Sequence, residues 1–180
     1  MTETAPRIAV VDAGAAPSSL TAVLCRSMGE ALRGQGASAL MLEAQAGSIL
    51  PYGEGASDGA EKMRDLLAGA HGVILCFPVY NFNMNATLKA VIEHCGPAMA
   101  GKVVGLMATA GGRFGYMSVL SVVQSLMFDL RAWIVPRQVY AVTDDFDGES
   151  ISSDEVRQRV EQLAAVTCEM ARRLRLQLPD

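Results

Sequence analysis

The sequence carries no large excess of charge, because its 180 residues have a formal net charge of −4 at pH 7. A nucleic-acid partner is therefore not expected, since such proteins usually present a basic patch or stripe. No apolar run approaches the roughly 18 residues of a membrane-spanning helix. Residues 1–11 also lack the positively charged leader of a signal peptide. We expect a soluble protein with no membrane partner.

Residues that bind metals or act as catalytic nucleophiles are scarce and scattered. Neither His71 nor His94 has a cysteine or carboxylate at a recognisable spacing, so we expect both to be structural. The acidic segment 144–149 lacks the 12-residue pattern of a calcium loop and predicts a solvated loop. The sequence has four widely separated cysteines without a CxxC pair: Cys25, Cys76, Cys95 and Cys168. This pattern predicts free, buried thiols, no metal site and a cytoplasmic location.

The sequence does contain a regular alternation of strand-like and helix-like segments. The predicted strands are Arg7–Ala13, Ala37–Leu42, Val73–Phe77, Lys102–Ala108 and Trp133–Val142, the last interrupted by Pro136. The predicted helices are Leu20–Leu32, Asp58–Ala68, Ala86–Cys95, Tyr116–Leu130 and Ser152–Leu176, with capping boxes at Asp58/Glu61 and Ser152/Glu155. Five such repeats predict an α/β fold in one domain over residues 1–180. The expected architecture is a doubly wound, five-stranded parallel sheet of order 2-1-3-4-5, with helices on both faces.

In that order, the loops after strands 1, 3 and 4 line one crevice at the carboxyl edge of the sheet. The first loop, Gly14–Thr21, places the hydroxyls of Ser18, Ser19 and Thr21 at a helix start, where an anion is favoured. The alternative is helix capping by Ser18 or Ser19 without any ligand. The sequence has neither the GxGxxG nor the GxxxxGK[ST] pattern, which argues against a Rossmann dinucleotide site and a P-loop.

The second loop, Pro78–Asn85, offers the flat side chains of Tyr80 and Phe82 beside three asparagines. It could hold a planar heterocycle, or its aromatic residues could lie in a subunit contact. The third loop, Thr109–Gly115, combines glycines, which let a ligand approach the backbone, with Arg113, which could face an anion or be solvated. Together the three loops suit a ligand with a phosphate at one end and a flat ring at the other, as in flavin mononucleotide (FMN).

The motifs in these loops resemble those of the NAD(P)H-dependent FMN reductases, which have a flavodoxin-like fold. The Pro-Glu-Tyr-Asn turn of that family corresponds to Pro78-Val79-Tyr80-Asn81, followed by Leu88-Lys89. Its Ser/Thr-x-Gly-Gly turn corresponds to 109–112, and its Pro-x-Gln-Val-Tyr stretch to 136–140. The resemblance extends over residues 7 to 142. The first loop differs, because it lacks the arginine of the family's Gly-Ser-x-Arg.

The resemblance implies hydride transfer from NADPH or NADH to FMN, and then to a partner monooxygenase or a small acceptor such as a quinone. It implies no catalytic side chain and a homodimer or homotetramer. The resemblance implies that Pro78, Val79, Tyr80 and Asn81 hold the isoalloxazine ring and that the turn Thr109, Ala110, Gly111 and Gly112 approaches its pyrimidine side. The chemistry of the loops themselves adds the further predicted cofactor contacts Ser18, Ser19, Thr21, Phe82, Asn83 and Arg113. Arg113 and Arg137 are candidates for binding a cofactor 2′-phosphate. Two alternatives remain open: a flavodoxin-type electron carrier, and a non-catalytic interaction module with the same fold.

Overall fold

The structure is a computed structural model that describes residues 5–14, 16–44, 49–53 and 58–175. The strands are β1 Arg7–Asp12, β2 Ser38–Glu43, β3 Gly72–Tyr80, β4 Asn83–Met84, β5 Val103–Ala110, β6 Trp133–Ile134, β7 Val139–Val142, β8 Phe146–Asp147 and β9 Ser150–Ile151. The α-helices are α1 Leu20–Gly34, α2 Asp58–Ala68, α3 Ala86–Cys95, α4 Val119–Phe128 and α5 Asp154–Arg175. Short 3₁₀ turns lie at Gly96–Met99, Arg113–Ser118 and Thr143–Asp145.

The central sheet confirms the predicted doubly wound α/β class. Its order is β2-β1-β3-β5-β6, and β7 also pairs with β5 in parallel. This is the predicted order with two differences: the fifth strand is split into β6 and β7, and β4 pairs antiparallel with the end of β3. The remaining pair, β8 and β9, forms a separate hairpin.

Two apolar cores lie on opposite faces of this sheet. One is built with α2, α3 and α4, and the other with α1 and α5. Because β1 and β3 are covered on both faces, the side chains of residues 8–11 and 73–77 are all buried and apolar. At Gly105 of β5, a Cβ atom would lie 2.6 Å from Ile74 Cδ1 and 3.0 Å from Leu163 Cδ1. Helix α5 therefore packs directly against the sheet at this glycine.

The third strand does not end at Phe77, as predicted, but continues through Pro78 to Tyr80. The Ala13 N–H donates to the carbonyl of Cys76 (2.8 Å), so the backbone polar groups of Cys76 face β1. Two residues later, the backbone nitrogen of Pro78 faces the same side of the strand, but β1 has already ended at Asp12. A proline fits there because no strand requires its missing N–H.

Helix starts differ from the predictions in two places. Tyr116 lies in a 3₁₀ turn, and α4 begins only at Val119. Helix α5 begins at Asp154, and the Val156 N–H donates to Ser153 Oγ (3.3 Å), so the predicted capping box at Ser152 is wrong by one residue. The predicted end of this helix, Leu176, lies outside the described residues.

The predicted structural roles of the cysteines and histidines agree with the fold. All four cysteines are free and buried. His71 Nδ1 accepts from the Arg7 N–H (2.8 Å), and His94 Nε2 lies 2.9 Å from the Leu50 carbonyl oxygen. Within the described part of the chain, no helix combines the length and apolar character needed to cross a bilayer.

Candidate functional site

A cleft of about 230 Å³ lies at the carboxyl ends of β1, β3 and β5. It is formed by the three loops that the sequence singles out. Its lining residues are Ala16, Ser19, Leu20, Thr21, Pro78, Val79, Tyr80, Thr109, Ala110, Gly111 and Thr143. The predicted convergence of the three loops is therefore present in the structure.

The first loop brings the amino end of α1 to the cleft. Ser19 is the N-cap residue, and its Oγ accepts from the Ala22 N–H (3.2 Å). The capping alternative is therefore present, although Ser19 also lines the cleft. Ser18 is exposed and is not among the lining residues. The positive end of the α1 dipole thus lies beside the cleft, where it favours an anion.

A buried hydroxyl pair joins the first and third loops. Thr21 Oγ1 and Thr109 Oγ1 are 3.0 Å apart, and both residues are buried. The sequence predicts both as cofactor contacts, but their hydroxyl groups hydrogen-bond to each other. Their first role is therefore to fix the distance between two walls of the cleft.

Asn85 joins the second loop to the first. Its Nδ2 donates to the carbonyl of Ala13 (2.7 Å), and its Oδ1 accepts from the Leu88 N–H (3.2 Å), which caps α3. The side chain is buried. Sequence reasoning missed this role, although an asparagine directly before a helix is itself a capping signal.

Two predicted contacts, Asn81 and Phe82, form the tip of the β3–β4 hairpin and do not line the cleft. Both have positive φ, at 52° and 57°. Asn83 points away from the cleft, since its Oδ1 accepts from the Ser121 hydroxyl (2.6 Å) and from the Met84 N–H (2.8 Å).

The glycine-rich loop borders open space. A Cβ atom added to Gly111 or Gly112 would meet no described atom within 4 Å, and neither residue has a positive φ. The Tyr140 hydroxyl donates to the Gly112 carbonyl (2.7 Å), which holds the loop from below. Neither packing nor backbone conformation therefore requires glycine at these two positions.

Arg113 does not line this cleft, and its predicted contact with an anion stays a prediction. Its Nη2 lies 3.3 Å from Asp145 Oδ1. Asp145 is buried, and its Oδ2 accepts from the Val142 N–H (2.8 Å). The prediction of a solvated acidic loop is therefore wrong at Asp145, which fixes the end of β7. The other arginine candidate, Arg137, donates to Gln162 Oε1 (3.0 Å) and lines a different groove.

The electrostatics of the cleft come from backbone groups rather than side-chain cations. None of the lining residues named above is charged. Asp12, at the end of β1, accepts from the Gly14 N–H (2.8 Å), and burial raises the pKa of its carboxyl group above the usual value near 3.8. Among the described residues, no group of three or more His, Cys, Asp or Glu side chains could hold a metal ion.

Both the sequence and the fold are similar to those of known proteins. The sequence model of the NADPH-dependent FMN reductase family matches residues 6–147. An NAD(P)H-dependent FAD/FMN reductase of Geobacillus thermodenitrificans is 29% identical over 110 residues, 60% of this chain and 60% of that protein. An NADPH azoreductase of a Bacillus species is 30% identical over 83 residues, 46% of this chain and 47% of that protein. The chain therefore spans about half to three fifths of these curated relatives.

The fold has close counterparts among solved structures. An oxidoreductase from Corynebacterium diphtheriae superposes with a TM-score of 0.76 at 21% identity, covering 93% of this chain and 97% of that one. At that identity the likeness supports the fold, and the family assignment comes from the sequence match. Because that match covers most of the chain, the chain belongs to the NADPH-dependent FMN reductase family, a family of flavin-dependent oxidoreductases.

Proposed function

We propose that the cleft binds FMN and that the chain is an NAD(P)H-dependent FMN reductase. The observation that carries this proposal is the combination of a helix amino end and an unfilled glycine-rich wall on two sides of one cleft. The Thr21–Thr109 bond (3.0 Å) keeps these two walls together. A phosphate suits the first wall and a flat ring suits the second.

The residues present fit FMN by their chemistry. The α1 amino end and Ser19 would hold the phosphate, since N–H groups and the helix dipole favour an anion. The Pro78-Val79-Tyr80 backbone and the Tyr80 ring would support the isoalloxazine ring, and Gly111 would let its pyrimidine side approach closely. The remaining predicted contacts do not line the cleft, so they stay proposals that rest on the sequence alone: Ser18, Asn81, Phe82, Asn83, Gly112 and Arg113.

When bound, FMN would supply the redox chemistry, accepting a hydride from NADPH or NADH and passing electrons to an acceptor. The chain would contribute position and fixed N–H dipoles, which requires no acid, base or nucleophile from its side chains. A partner monooxygenase, a quinone or an azo compound are the proposed acceptors. The azo compound is included because one relative is named an NADPH azoreductase.

The test is an FMN titration of the purified protein and its Gly111→Leu variant. We expect saturable one-to-one binding to the wild type and binding at least roughly tenfold weaker in the variant, with Tm unchanged because Gly111 has open space and no positive φ. Gly34→Leu is the matched control, since a Cβ atom there also meets nothing within 4 Å. Failure of the wild type to bind at high micromolar FMN would contradict the proposal.

Steady-state oxidation of NADPH and NADH then separates the reductase from the alternatives. A reductase turns over either donor with added FMN. An electron carrier holds FMN but oxidises the donor poorly, and an interaction module does neither. The homodimer or homotetramer is part of the proposal, supported by the many large apolar side chains on the surface. The cytoplasmic location and the single-domain organisation stay predictions.

A further inference from the structure

The glycine-rich turn after β5 is held from outside the cleft by one side chain, Tyr140. Strand β7 pairs in parallel with β5, and Tyr140 lies beside Ala108, shortly before the chain reaches the turn. The Tyr140 hydroxyl donates to the Gly112 carbonyl (2.7 Å), and Tyr140 is only 8% exposed. Tyr140 therefore links the last strand of the central sheet to the third wall of the cleft.

A second point of the same turn, Gly115, lies against the Tyr140 oxygen. A Cβ atom added to Gly115 would be 2.7 Å from Tyr140 Oη, whereas its next neighbours, Val79 Cγ1 and Ser118 Oγ, would be 3.4 Å and 3.5 Å away. Gly115 is buried and does not have a positive φ, so its backbone conformation would accept alanine. In contrast to the two glycines that border open space, Gly115 is required by packing, and the atom that requires it is the Tyr140 oxygen.

The Tyr140 hydroxyl is a fixed donor. Burial raises the pKa of Tyr140 above its usual value near 10, and the Gly115 N–H opposes this shift only in part. The hydroxyl group therefore keeps its proton at neutral pH. The Tyr140 ring also packs edge-on against Tyr116, with the ring centroids 5.7 Å apart and the planes at 73°. These contacts restrict the rotation of the ring and hold its oxygen at the turn.

The turn has a second tether, which is weaker. Arg113 Nη2 lies 3.3 Å from Asp145 Oδ1, but the Arg113 side chain is 72% exposed. An ion pair with an exposed partner contributes little, because water screens the charges and the long side chain loses conformational freedom. This pair also holds a side chain, whereas Tyr140 holds the backbone. The direction of the peptide groups in the turn therefore depends on Tyr140.

The bond to Tyr140 determines which way the peptide group between Gly112 and Arg113 points. The described peptide bonds are all trans, and in a trans peptide the C=O and the N–H point in opposite directions. Because the Gly112 carbonyl faces Tyr140, the Arg113 N–H faces away from it. Among the described residues, no atom accepts a hydrogen bond from that N–H. A free backbone donor is thus fixed next to Gly111, which lines the cleft.

We propose that Tyr140 is a positioning residue for the bound cofactor: it keeps the Gly112 carbonyl away from the ring and the Arg113 N–H toward it, and thereby stabilises the negative charge of reduced FMN. This inference rests on the proposed function. The charge arises because hydride transfer adds two electrons and one proton to the ring. Fixed N–H dipoles stabilise such charge without reorganising. Without the tether, the peptide can rotate and present its carbonyl to the ring, which disfavours the charge.

The first test needs no cofactor and asks whether the Tyr140 oxygen packs against the turn. Gly115→Ala should lower the Tm of the purified protein, because the new methyl group meets that oxygen. In Tyr140→Phe, which lacks the oxygen, the same substitution should lower Tm by less than half as much. Equal losses in the two backgrounds would overturn the contact, and the proposal with it.

The second test measures the affinity for oxidised FMN and the reduction potential of bound FMN in the wild type, Tyr140→Phe and the matched control Tyr116→Phe. Tyr116 touches Tyr140, is 43% exposed and does not line the cleft. We expect Tyr140→Phe to weaken the binding of reduced FMN roughly tenfold more than that of oxidised FMN, which lowers the two-electron potential by about 30 mV. Tyr116→Phe should keep the wild-type potential.

The outcomes separate this role from a structural one and from the proposed function. Equal weakening of both redox forms in Tyr140→Phe would leave the potential unchanged, which would overturn the positioning role while the proposed function stands. An equal fall in potential in Tyr116→Phe would also overturn it, because that variant keeps the Tyr140 hydroxyl. If the wild type bound no FMN, the proposed function would fail and the positioning role would fail with it.

Discussion

At the scale of single residues, the contact between Thr21 and Thr109 sets the width of the cleft. Thr21→Val leaves the Thr109 hydroxyl buried without its partner, and we expect the free energy of unfolding to fall by roughly 1–3 kcal/mol. Thr21→Val/Thr109→Val removes both polar groups and should cost less than the sum of the two single variants. The free energies of unfolding of the wild type, the two single variants and the double variant, measured by urea denaturation, complete this double-mutant cycle. Additive costs would mean that the 3.0 Å contact contributes nothing.

Asp12 is the second residue that affects the cleft, because its carboxylate lies next to the proposed phosphate loop. Asp12→Asn keeps an acceptor for the Gly14 N–H (2.8 Å) and removes the charge. We expect FMN binding to tighten on the order of fivefold, or ~1 kcal/mol. Riboflavin, which lacks the phosphate, is the control ligand and should bind both proteins equally. An equal gain for riboflavin would contradict the electrostatic explanation.

The raised pKa of Asp12 also predicts how Asp12→Asn changes stability with pH. Burial raises this pKa above 3.8, so the native state holds the proton more tightly than the unfolded state. The ionised carboxyl group therefore subtracts stability above the native pKa, and this cost disappears as the pH falls below 3.8. The variant should be more stable than the wild type at pH 7, with the difference vanishing near pH 3.

At the scale of elements, Lys102 connects the start of β5 to the end of α2. Its Nζ donates to the carbonyls of Leu67 (2.6 Å) and Ala68 (2.8 Å). Lys102→Met leaves both carbonyls without this donor, and we expect a loss of ~1–2 kcal/mol in the free energy of unfolding. Lys89→Met is the control, because the exposed Lys89–Glu93 pair should contribute only about 0.3–0.5 kcal/mol. Equal losses would contradict a helix-capping role.

The pH dependence of Lys102 has the opposite sign to that of Asp12. Burial, and secondarily the charge of Arg7, lower the pKa of Lys102 below 10.5. Between the lowered pKa and 10.5 the unfolded chain binds more protons, so this group adds stability as the pH rises through that window. Lys102→Met should lose this rise, which denaturation curves measured across the window would show.

The bounds of most elements could be predicted because local patterns determine them. Helix α3 begins and ends where the sequence predicts, since Asn85 caps it and its apolar period is regular. The end of β3 could not be predicted, because a proline is tolerated there only once the neighbouring strand has ended. That information lies in the register of Asp12 with Cys76, about 60 residues apart in the chain.

At the scale of the whole molecule, the sequence predicted the three loops but not what each side chain does there. Ser19, Thr21 and Thr109 were expected as ligand contacts, and the structure shows them also hydrogen-bonding within the protein. Asp145 was expected in solvent and is buried. A local sequence pattern indicates which residues reach the cleft. It does not indicate the hydrogen-bond partners of those residues when the partners come from distant parts of the chain.

The divided fifth strand has a consequence for how the protein behaves at high concentration. The N–H groups of Trp133 and Val135 donate to the carbonyls of Lys102 (2.8 Å) and Val104 (2.9 Å) in β5. The backbone nitrogens of the alternate residues, Ile134 and Pro136, therefore face the open edge of the sheet. Pro136 has no N–H to offer a foreign strand, and it interrupts the edge after two paired residues. This margin of the sheet is a poor template for amyloid-like stacking, so concentrated solutions should resist fibril growth there.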